Sequence, residues 1–92
     1  MKVLVTEALS PQGLELLTHD FEVDVRTDLA RGDLAAEIAP YDALVIRSAT
    51  KVTADVLAAA TNLKVVARAG IGLDNVDVEA ATRRGVMVVN AP

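Results

Sequence analysis

The sequence predicts an α/β protein, with a flavodoxin-like, doubly wound parallel sheet of five strands in the order 2-1-3-4-5. Its 92 residues are 52% hydrophobic but only 2% aromatic, so a single small core must rest on Val, Leu and Ala. Valine-rich runs, which favour strands, alternate with Ala- and Leu-rich stretches, which favour helices. A helix between successive strands is the connection that parallel neighbours require.

Five short apolar runs are the predicted strands. Four of them are nearly continuous, which is typical of strands covered on both faces of a sheet. The run from Phe21 to Val25 instead alternates apolar and acidic residues, so we expect it at an edge. The predicted strands are 2–6, 21–25, 43–46, 63–67 and 86–89.

Four helices are predicted between the strands, each beginning at a side chain that can cap its N-terminus. Ser10, followed by Pro11, begins the first helix, which we expect to end near His19. The predicted helices are 11–19, 34–39, 54–61 and 78–84, and the caps of the last three are Asp33, Thr53 and Asp77. Pro40 and Gly85 are typical residues after helix ends.

The last residues of the sequence, Asn90-Ala91-Pro92, come directly after the fifth predicted strand. No helix is predicted there, so we expect one flank of the sheet to lack a terminal covering helix. An exposed apolar flank favours a partner domain or self-association with another copy of the chain. We expect residues 1–92 to form one domain of a longer protein.

Composition excludes several classes of function. Nine Lys and Arg against 13 Asp and Glu give a net charge of −4, which argues against nucleic-acid binding. With no cysteine and one histidine, the chain has no thiol nucleophile and no cluster for zinc, so no metal site is expected. No apolar stretch reaches the length of a membrane span and no signal peptide is evident, so we expect a cytoplasmic protein without a membrane partner.

Candidate site residues follow the third and fourth strands, because ligands of such sheets bind beyond the carboxyl ends of the strands. Arg47 and Arg68 stand there, and two guanidinium groups at one edge suit a small, doubly charged anion. The Gly70-Ile71-Gly72 turn can point successive N–H groups into one concavity that holds an oxyanion. Solvated or acid-paired arginines and a plain strand-to-helix turn are the alternative interpretations.

The same turn does not match the dinucleotide fingerprint G-x-G-x-x-G. Its third glycine would fall at Asn75, and the position about 20 residues further on holds Asn90, where the fingerprint has an acid. We therefore expect no NAD site on this chain. None of the candidate hydroxyl groups has a neighbouring base in the sequence, so no catalytic residue is expected either.

Four longer stretches extend this pattern, and the first two contain motifs that are more specific than the glycines alone. They are Arg47-Ser48-Ala49-Thr50-Lys51-Val52-Thr53, Val66-Ala67-Arg68-Ala69-Gly70-Ile71-Gly72-Leu73-Asp74-Asn75-Val76-Asp77, Ala80-Ala81-Thr82-Arg83-Arg84-Gly85-Val86 and Asn90-Ala91-Pro92. Through them, and over essentially its whole length, the chain resembles the amino-terminal part of those members of the D-2-hydroxyacid dehydrogenase family that act on 3-phosphoglycerate.

The resemblance implies the substrate-binding domain of an enzyme that oxidises 3-phosphoglycerate to 3-phosphohydroxypyruvate with NAD, in serine biosynthesis. It implies that Arg47 and Arg68 lie near the substrate phosphate and that the turn at 70–72 holds the carboxylate. The other substrate-binding residues that we expect are Ser48, Ala69, Asn75 and Asn90. The family's NAD-binding domain and its catalytic Arg, Glu and His lie downstream, so the 92 residues alone are expected to be inactive.

Two other classes of function share the predicted fold. A stand-alone module that binds small anions such as phosphate or carboxylate is the alternative function. A signalling receiver would need an acidic cluster at its strand ends, but the third strand ends in Arg47. A flavin site would gain from stacked aromatic side chains, and Phe21 and Tyr41 are the only aromatic residues. Receiver and flavin functions are therefore disfavoured.

Overall fold

The computed structural model of the chain describes residues 1–70, 72 and 74–91. Within this part, five parallel strands form one sheet in the order β2-β1-β3-β4-β5, which confirms the predicted fold class and strand order. The strands are β1 (Lys2–Val5), β2 (Glu22–Val25), β3 (Ala43–Ile46), β4 (Val65–Ala69) and β5 (Met87–Ala91). The alternating run forms the edge strand β2, as predicted.

The four predicted helices are present, and all four predicted caps are confirmed. They are α1 (Pro11–Asp20), α2 (Leu34–Glu37), α3 (Ala54–Ala59) and α4 (Val78–Arg83). Each capping side chain accepts a hydrogen bond from the backbone N–H three residues later; the caps are Ser10, Asp33, Thr53 and Asp77. Each cap satisfies an N–H group that the helix itself leaves without an acceptor.

The ends of helices and strands and one short turn differ from the sequence prediction. The strand β4 is shifted by two residues and includes Arg68, and β5 extends to include Asn90, so both residues lie within strands and not after them. The helix α3 stops at Ala59 because the N–H of Ala60 bonds to the carbonyl of Leu57, a tighter turn than the α-helix allows. The helix α2 is a single turn, and a 3-10 turn over Thr27–Ala30, which was not predicted, precedes it. These differences change the lengths of the elements but not their order.

Most of the hydrophobic core lies on one face of the sheet, beneath α2, α3 and α4. Leu44 and Ile46 of β3 and Val66 of β4 are fully buried there. Leu57 of α3 and Ala81 of α4 pack onto the same cluster. Three helices therefore cover this face and fix its register, because a slip by one residue would turn the apolar side chains to the opposite face.

The opposite face is covered only in part. Leu17 of α1 packs against a smaller cluster on β1 and β3, and α1 is the only helix on this face within the described part of the chain. On β5, Met87 and Val89 are 64% and 38% exposed. They pair with Val65 and Ala67 of β4, so an apolar strip of the sheet faces solvent. No described helix is both long enough and apolar enough to cross a membrane.

A buried polar pair ties the edge strand β2 to the segment that precedes β3. The Tyr41 hydroxyl donates a 2.6 Å hydrogen bond to Asp24 Oδ2, and Tyr41 is only 6% exposed. Burial, the hydrogen bond to Asp24 and the charge of that carboxylate together raise the pKa of Tyr41 to about 12.

We expect the stabilisation from this bond to depend on pH. The pKa of Tyr41 is about 12 in the folded chain against an ordinary value of 10.0, so the folded state binds the phenolic proton more tightly. The contribution, about 1–3 kcal/mol for a hydrogen bond to a charged group, is complete below pH 10 and declines as the pH rises through 12. Urea unfolding of the wild type and Tyr41→Phe across this range measures it, and a free-energy difference that stays constant with pH would contradict the prediction.

Candidate anion-binding site

The carboxyl ends of β3, β4 and β5 form one row at an edge of the sheet. In the strand register, Ile46 pairs with Arg68 and Arg68 pairs with Asn90. Arg47 follows directly after Ile46 in the chain. The two arginines and Asn90, which are far apart in sequence, therefore leave the sheet at the same edge, as the predicted topology requires.

A cavity of about 560 Å³ opens at this edge, between α1 and the partly covered face of the sheet. Arg47, Arg68, Ala69 and Gly70 line it on the side of the sheet. The remaining lining is mostly apolar and consists of Ala8, Leu9, Ser10, Gly13, Leu17, Val45 and Ala67. Two arginine residues therefore line the cavity beside an apolar wall, a combination that suits a small anion with a short carbon chain.

The Arg68 side chain folds back over the turn that follows β4. Its Nη1 donates a 2.8 Å hydrogen bond to the carbonyl of Gly72. Gly70 and Gly72 have φ values of +153° and +88°, which favour glycine. A Cβ at Gly70 would also stand 3.1 Å from Arg68 Nη1, so glycine at this position leaves room for the guanidinium. Ile71, predicted to belong to this turn, lies outside the described residues.

The side chain of Asn90, a residue of β5, binds the backbone of the turn that follows β4. With its amide oriented to match its neighbours, Asn90 Nδ2 donates to the carbonyl of Gly70 at 2.5 Å, and Oδ1 accepts from the N–H of Gly72 at 3.3 Å. One N–H group of the predicted oxyanion concavity therefore already has an acceptor within the protein. Asn90 shapes the turn through these contacts with its backbone.

Asn75 supports the loop after β3, defined here as residues 47–53. The side chain is buried, and its Nδ2 donates to the carbonyl oxygens of Arg47 at 2.6 Å and Thr50 at 2.7 Å. Asn75 therefore lies behind the loop and does not line the cavity. Ser48, which the sequence also predicted at the site, is exposed and is not among the residues that line the cavity.

Glu7, two residues after the end of β1, is a residue of the site that sequence reasoning missed. Its carboxylate accepts hydrogen bonds from the backbone N–H groups of Arg47 at 2.5 Å, Ala49 at 2.9 Å and Thr50 at 3.1 Å. Beside it, the buried hydroxyls of Thr6 and Thr50 are 2.7 Å apart. One signal in the sequence pointed to it: Glu7 is an acid that follows the first predicted strand, and the predicted strand order places that strand next to β3.

The hydrogen bonds to Glu7 also change its acidity. Burial by itself raises the pKa of the carboxyl, but the N–H groups of Ala49 and Arg47 and the contacts with Thr50 outweigh it. The pKa of Glu7 is therefore lower than its ordinary value of 4.5, and the group is a carboxylate at neutral pH.

Other polar residues lie away from the cavity. His19, at the end of α1, is exposed and its Nδ1 lies 3.1 Å from Asp20 Oδ1. Among the described residues, no three acidic or histidine side chains come together in a way that could hold a metal ion. The charged side chains of the residues that line the cavity are those of Arg47 and Arg68 within the described part of the chain.

Comparison with known proteins gives one family. Residues 3–92 match the model of the D-isomer specific 2-hydroxyacid dehydrogenase catalytic domain. A D-3-phosphoglycerate dehydrogenase from Archaeoglobus fulgidus is 50% identical over 93 residues, which cover 100% of this chain and 18% of the relative. The chain corresponds to the N-terminal part of such relatives and spans less than a fifth of their length.

Solved structures give the same fold. A crystal structure of a protein from Pyrococcus horikoshii superposes with a TM-score of 0.93 at 32% identity, covering 98% of this chain and 27% of the other. The structure of an NAD⁺-bound 3-phosphoglycerate dehydrogenase from Entamoeba histolytica superposes with a TM-score of 0.85 at 27% identity, covering 100% of this chain and 33% of the other.

Two glycine substitutions separate backbone strain from the space that Arg68 needs. Gly70→Ala and Gly72→Ala each place a side chain at positive φ, which costs about 1–3 kcal/mol of stability. Only at position 70 does the new Cβ approach Arg68, to 3.1 Å, since nothing lies within 4 Å of a Cβ at position 72. We expect the Nε–H resonance of Arg68 to move clearly further in Gly70→Ala than in Gly72→Ala. Equal displacements in two-dimensional NMR spectra would refute this role of Gly70.

Proposed function

The chain belongs to the D-isomer specific 2-hydroxyacid dehydrogenase family, and on that premise we propose that residues 1–92 are the substrate-binding domain of a D-3-phosphoglycerate dehydrogenase. The observation that carries the proposal is the convergence of Arg47 and Arg68 on one cavity at the carboxyl edge of the sheet. Curated relatives with that enzyme name, 45–54% identical to this chain, support the choice of substrate.

The chemistry of 3-phosphoglycerate fits the lining of the cavity. The molecule carries a phosphate at one end and a carboxylate at the other, separated by a short carbon chain. Guanidinium groups bind both kinds of oxyanion through paired hydrogen bonds. We propose that Arg47 and Arg68 bind the phosphate and that the backbone of the 70–72 turn holds the carboxylate. Ala69 adds to the wall, while Asn75 and Asn90 hold the loops. Ser48, which follows Arg47 in the chain, stays a proposed substrate contact.

NAD, the cofactor of the parent enzyme in this proposal, does not fit the glycine turn of this chain. Asn75 occupies the position of the third fingerprint glycine, and its amide is engaged by the carbonyls of Arg47 and Thr50. At the start of α4, Asp77 accepts a 3.0 Å hydrogen bond from the N–H of Ala80, where a pyrophosphate would otherwise bind. We propose that NAD is held by groups outside these residues.

Turnover by the 92 residues alone is not expected. Oxidation of the substrate hydroxyl requires a nearby acid-base group and a hydride acceptor held against the reacting carbon. The described lining of the cavity contains neither a histidine nor a carboxylate side chain. This domain therefore contributes binding and orientation of the anion.

The alternative is a stand-alone module that binds small anions. The same two arginines support it, because their chemistry does not depend on a second domain. The exposed strip on β5 argues against it, since a domain that works alone gains stability by covering its sheet. We therefore favour the dehydrogenase domain.

A titration with 3-phosphoglycerate tests the proposed function. We expect amide resonances at Arg47, Arg68, Gly70 and Gly72 to shift in NMR spectra of the chain, more strongly than with sulfate. Arg47→Gln and Arg68→Gln each remove a charge-assisted contact and are expected to weaken binding about tenfold or more.

The matched control for these substitutions is Arg83→Gln, at an exposed residue of α4 whose guanidinium lies 3.1 Å from Glu79. It should bind like the wild type, and no NADH should form when NAD is added. Shifts that are the same for sulfate and phosphoglycerate, or a loss of affinity as large in Arg83→Gln, would refute the proposal.

The uncovered face of the sheet leads us to propose self-association of the isolated chain, with a second copy covering the strip on β5. Light scattering should then show an apparent mass that rises with protein concentration. Met87→Lys places a charge on the strip and should reduce the effect, because burying an unpaired charge is costly. Leu16→Lys, at a residue on α1 that is 72% exposed, is the control. A mass that stays that of the monomer at every concentration would count against the proposal.

A further inference from the structure

Both backbone polar groups of Arg47 are held by side chains from other parts of the chain. Its N–H donates to Glu7 Oε2 at 2.5 Å, and its carbonyl accepts from Asn75 Nδ2 at 2.6 Å. Hydrogen bonds on both sides of one Cα restrict the φ and ψ angles from which the side chain starts. A long arginine side chain loses rotamer freedom when it binds a ligand, so a fixed origin lowers the entropy cost of binding.

The carboxylate of Glu7 holds more than one residue of the loop. Oε2 accepts from the N–H groups of Arg47 and Thr50, and Oε1 accepts from that of Ala49. Three donors on two oxygens match a carboxylate, which has acceptor sites on both atoms and no hydrogen to oppose a donor. A glutamine at this position would offer one oxygen and turn an NH₂ group towards the remaining N–H groups.

The charge of Glu7 is directed to the backbone and not to the arginine side chain. Glu7 and Arg47 form no ion pair in the described part of the chain, and the Arg47 guanidinium has only a long 3.4 Å contact with the carbonyl of Ala8. Arg47 is exposed and lines the cavity, so its side chain is accessible to an anion there. Glu7 therefore orders the loop without neutralising the cation that the loop presents.

We propose that Glu7 is a positioning residue of the anion site: by binding the backbone N–H groups of Arg47, Ala49 and Thr50, it fixes the loop from which Arg47 reaches the cavity. The proposal rests on the function proposed above for the identity of the anion. The geometry of the loop can be tested without any ligand, so failure of one proposal can be distinguished from failure of the other.

The first experiment uses the wild-type chain alone. The amide protons of Arg47, Ala49 and Thr50 should shift together as the pH falls, with one apparent pKa below 4.5, because all three donate to the same carboxylate. This signature depends on a contact with the carboxylate and needs no variant that has to fold. Amide shifts that do not follow a common titration would overturn the proposal.

The second experiment compares Glu7→Gln with a control, Glu15→Gln, which changes an exposed acid on α1. Hydrogen exchange at Arg47, Ala49 and Thr50 should accelerate about tenfold in Glu7→Gln, and the affinity for 3-phosphoglycerate at neutral pH should fall by a similar factor. The common titration should disappear in Glu7→Gln only. Glu15→Gln should behave like the wild type in exchange, titration and binding.

The outcomes separate the two proposals. If the wild type does not respond to 3-phosphoglycerate but Glu7→Gln still loosens the loop, the proposed substrate is wrong and the positioning role is supported. If the wild type binds and Glu7→Gln binds equally well with unchanged exchange, the positioning role is refuted and the proposed function stands. A third outcome also refutes the positioning role: hydrogen exchange in the loop accelerates in Glu7→Gln while the affinity stays that of the wild type. Glu7 would then contribute to stability alone.

Discussion

Parallel pairing on both sides of β3 is the constraint on which the rest of the structure depends. The strand β3 lies between β1 and β4, so the residues that follow these three strands emerge side by side at one edge. Full burial of Leu44 and Ile46 fixes the register of β3, because a slip by one residue would turn both side chains to the other face. Packing of the core thereby determines where Glu7, Arg47 and Arg68 meet.

The loop after β3 and the turn after β4 are ordered mainly by side chains that bind backbone groups. Polar backbone atoms that leave a sheet and lose water need new partners, and Glu7, Asn75 and Asn90 provide them. The N–H groups of Arg47, Ala49, Thr50 and Gly72 are therefore occupied by side chains of the protein itself. In the proposed function, the phosphate is therefore bound chiefly by Arg47 and Arg68, which carry full charges and reach beyond the backbone.

The sequence predicted the fold and part of the site, for identifiable reasons. Helix caps and apolar periodicity are local signals, and the strand order that they imply brought Arg47, Arg68 and Gly70 to one cavity. The contacts of Glu7 span 40 residues or more and leave no periodic trace, so its role could not be predicted. For the same reason Asn75 was expected at the substrate, although its amide binds the loop carbonyls.

The cavity and the uncovered part of the sheet lie on the same face of the fold. The cavity lies between α1 and the uncovered part of β4, and the apolar strip of β5 continues the same face. A second domain or a second copy that covers that face would also enclose the cavity and exclude water from it. Attraction between a guanidinium and an anion strengthens as the surrounding dielectric constant falls, so closure increases the contribution of Arg47 and Arg68 without moving either residue. In the proposed function, the open domain and the covered domain would therefore bind the anion through the same residues but with different strength.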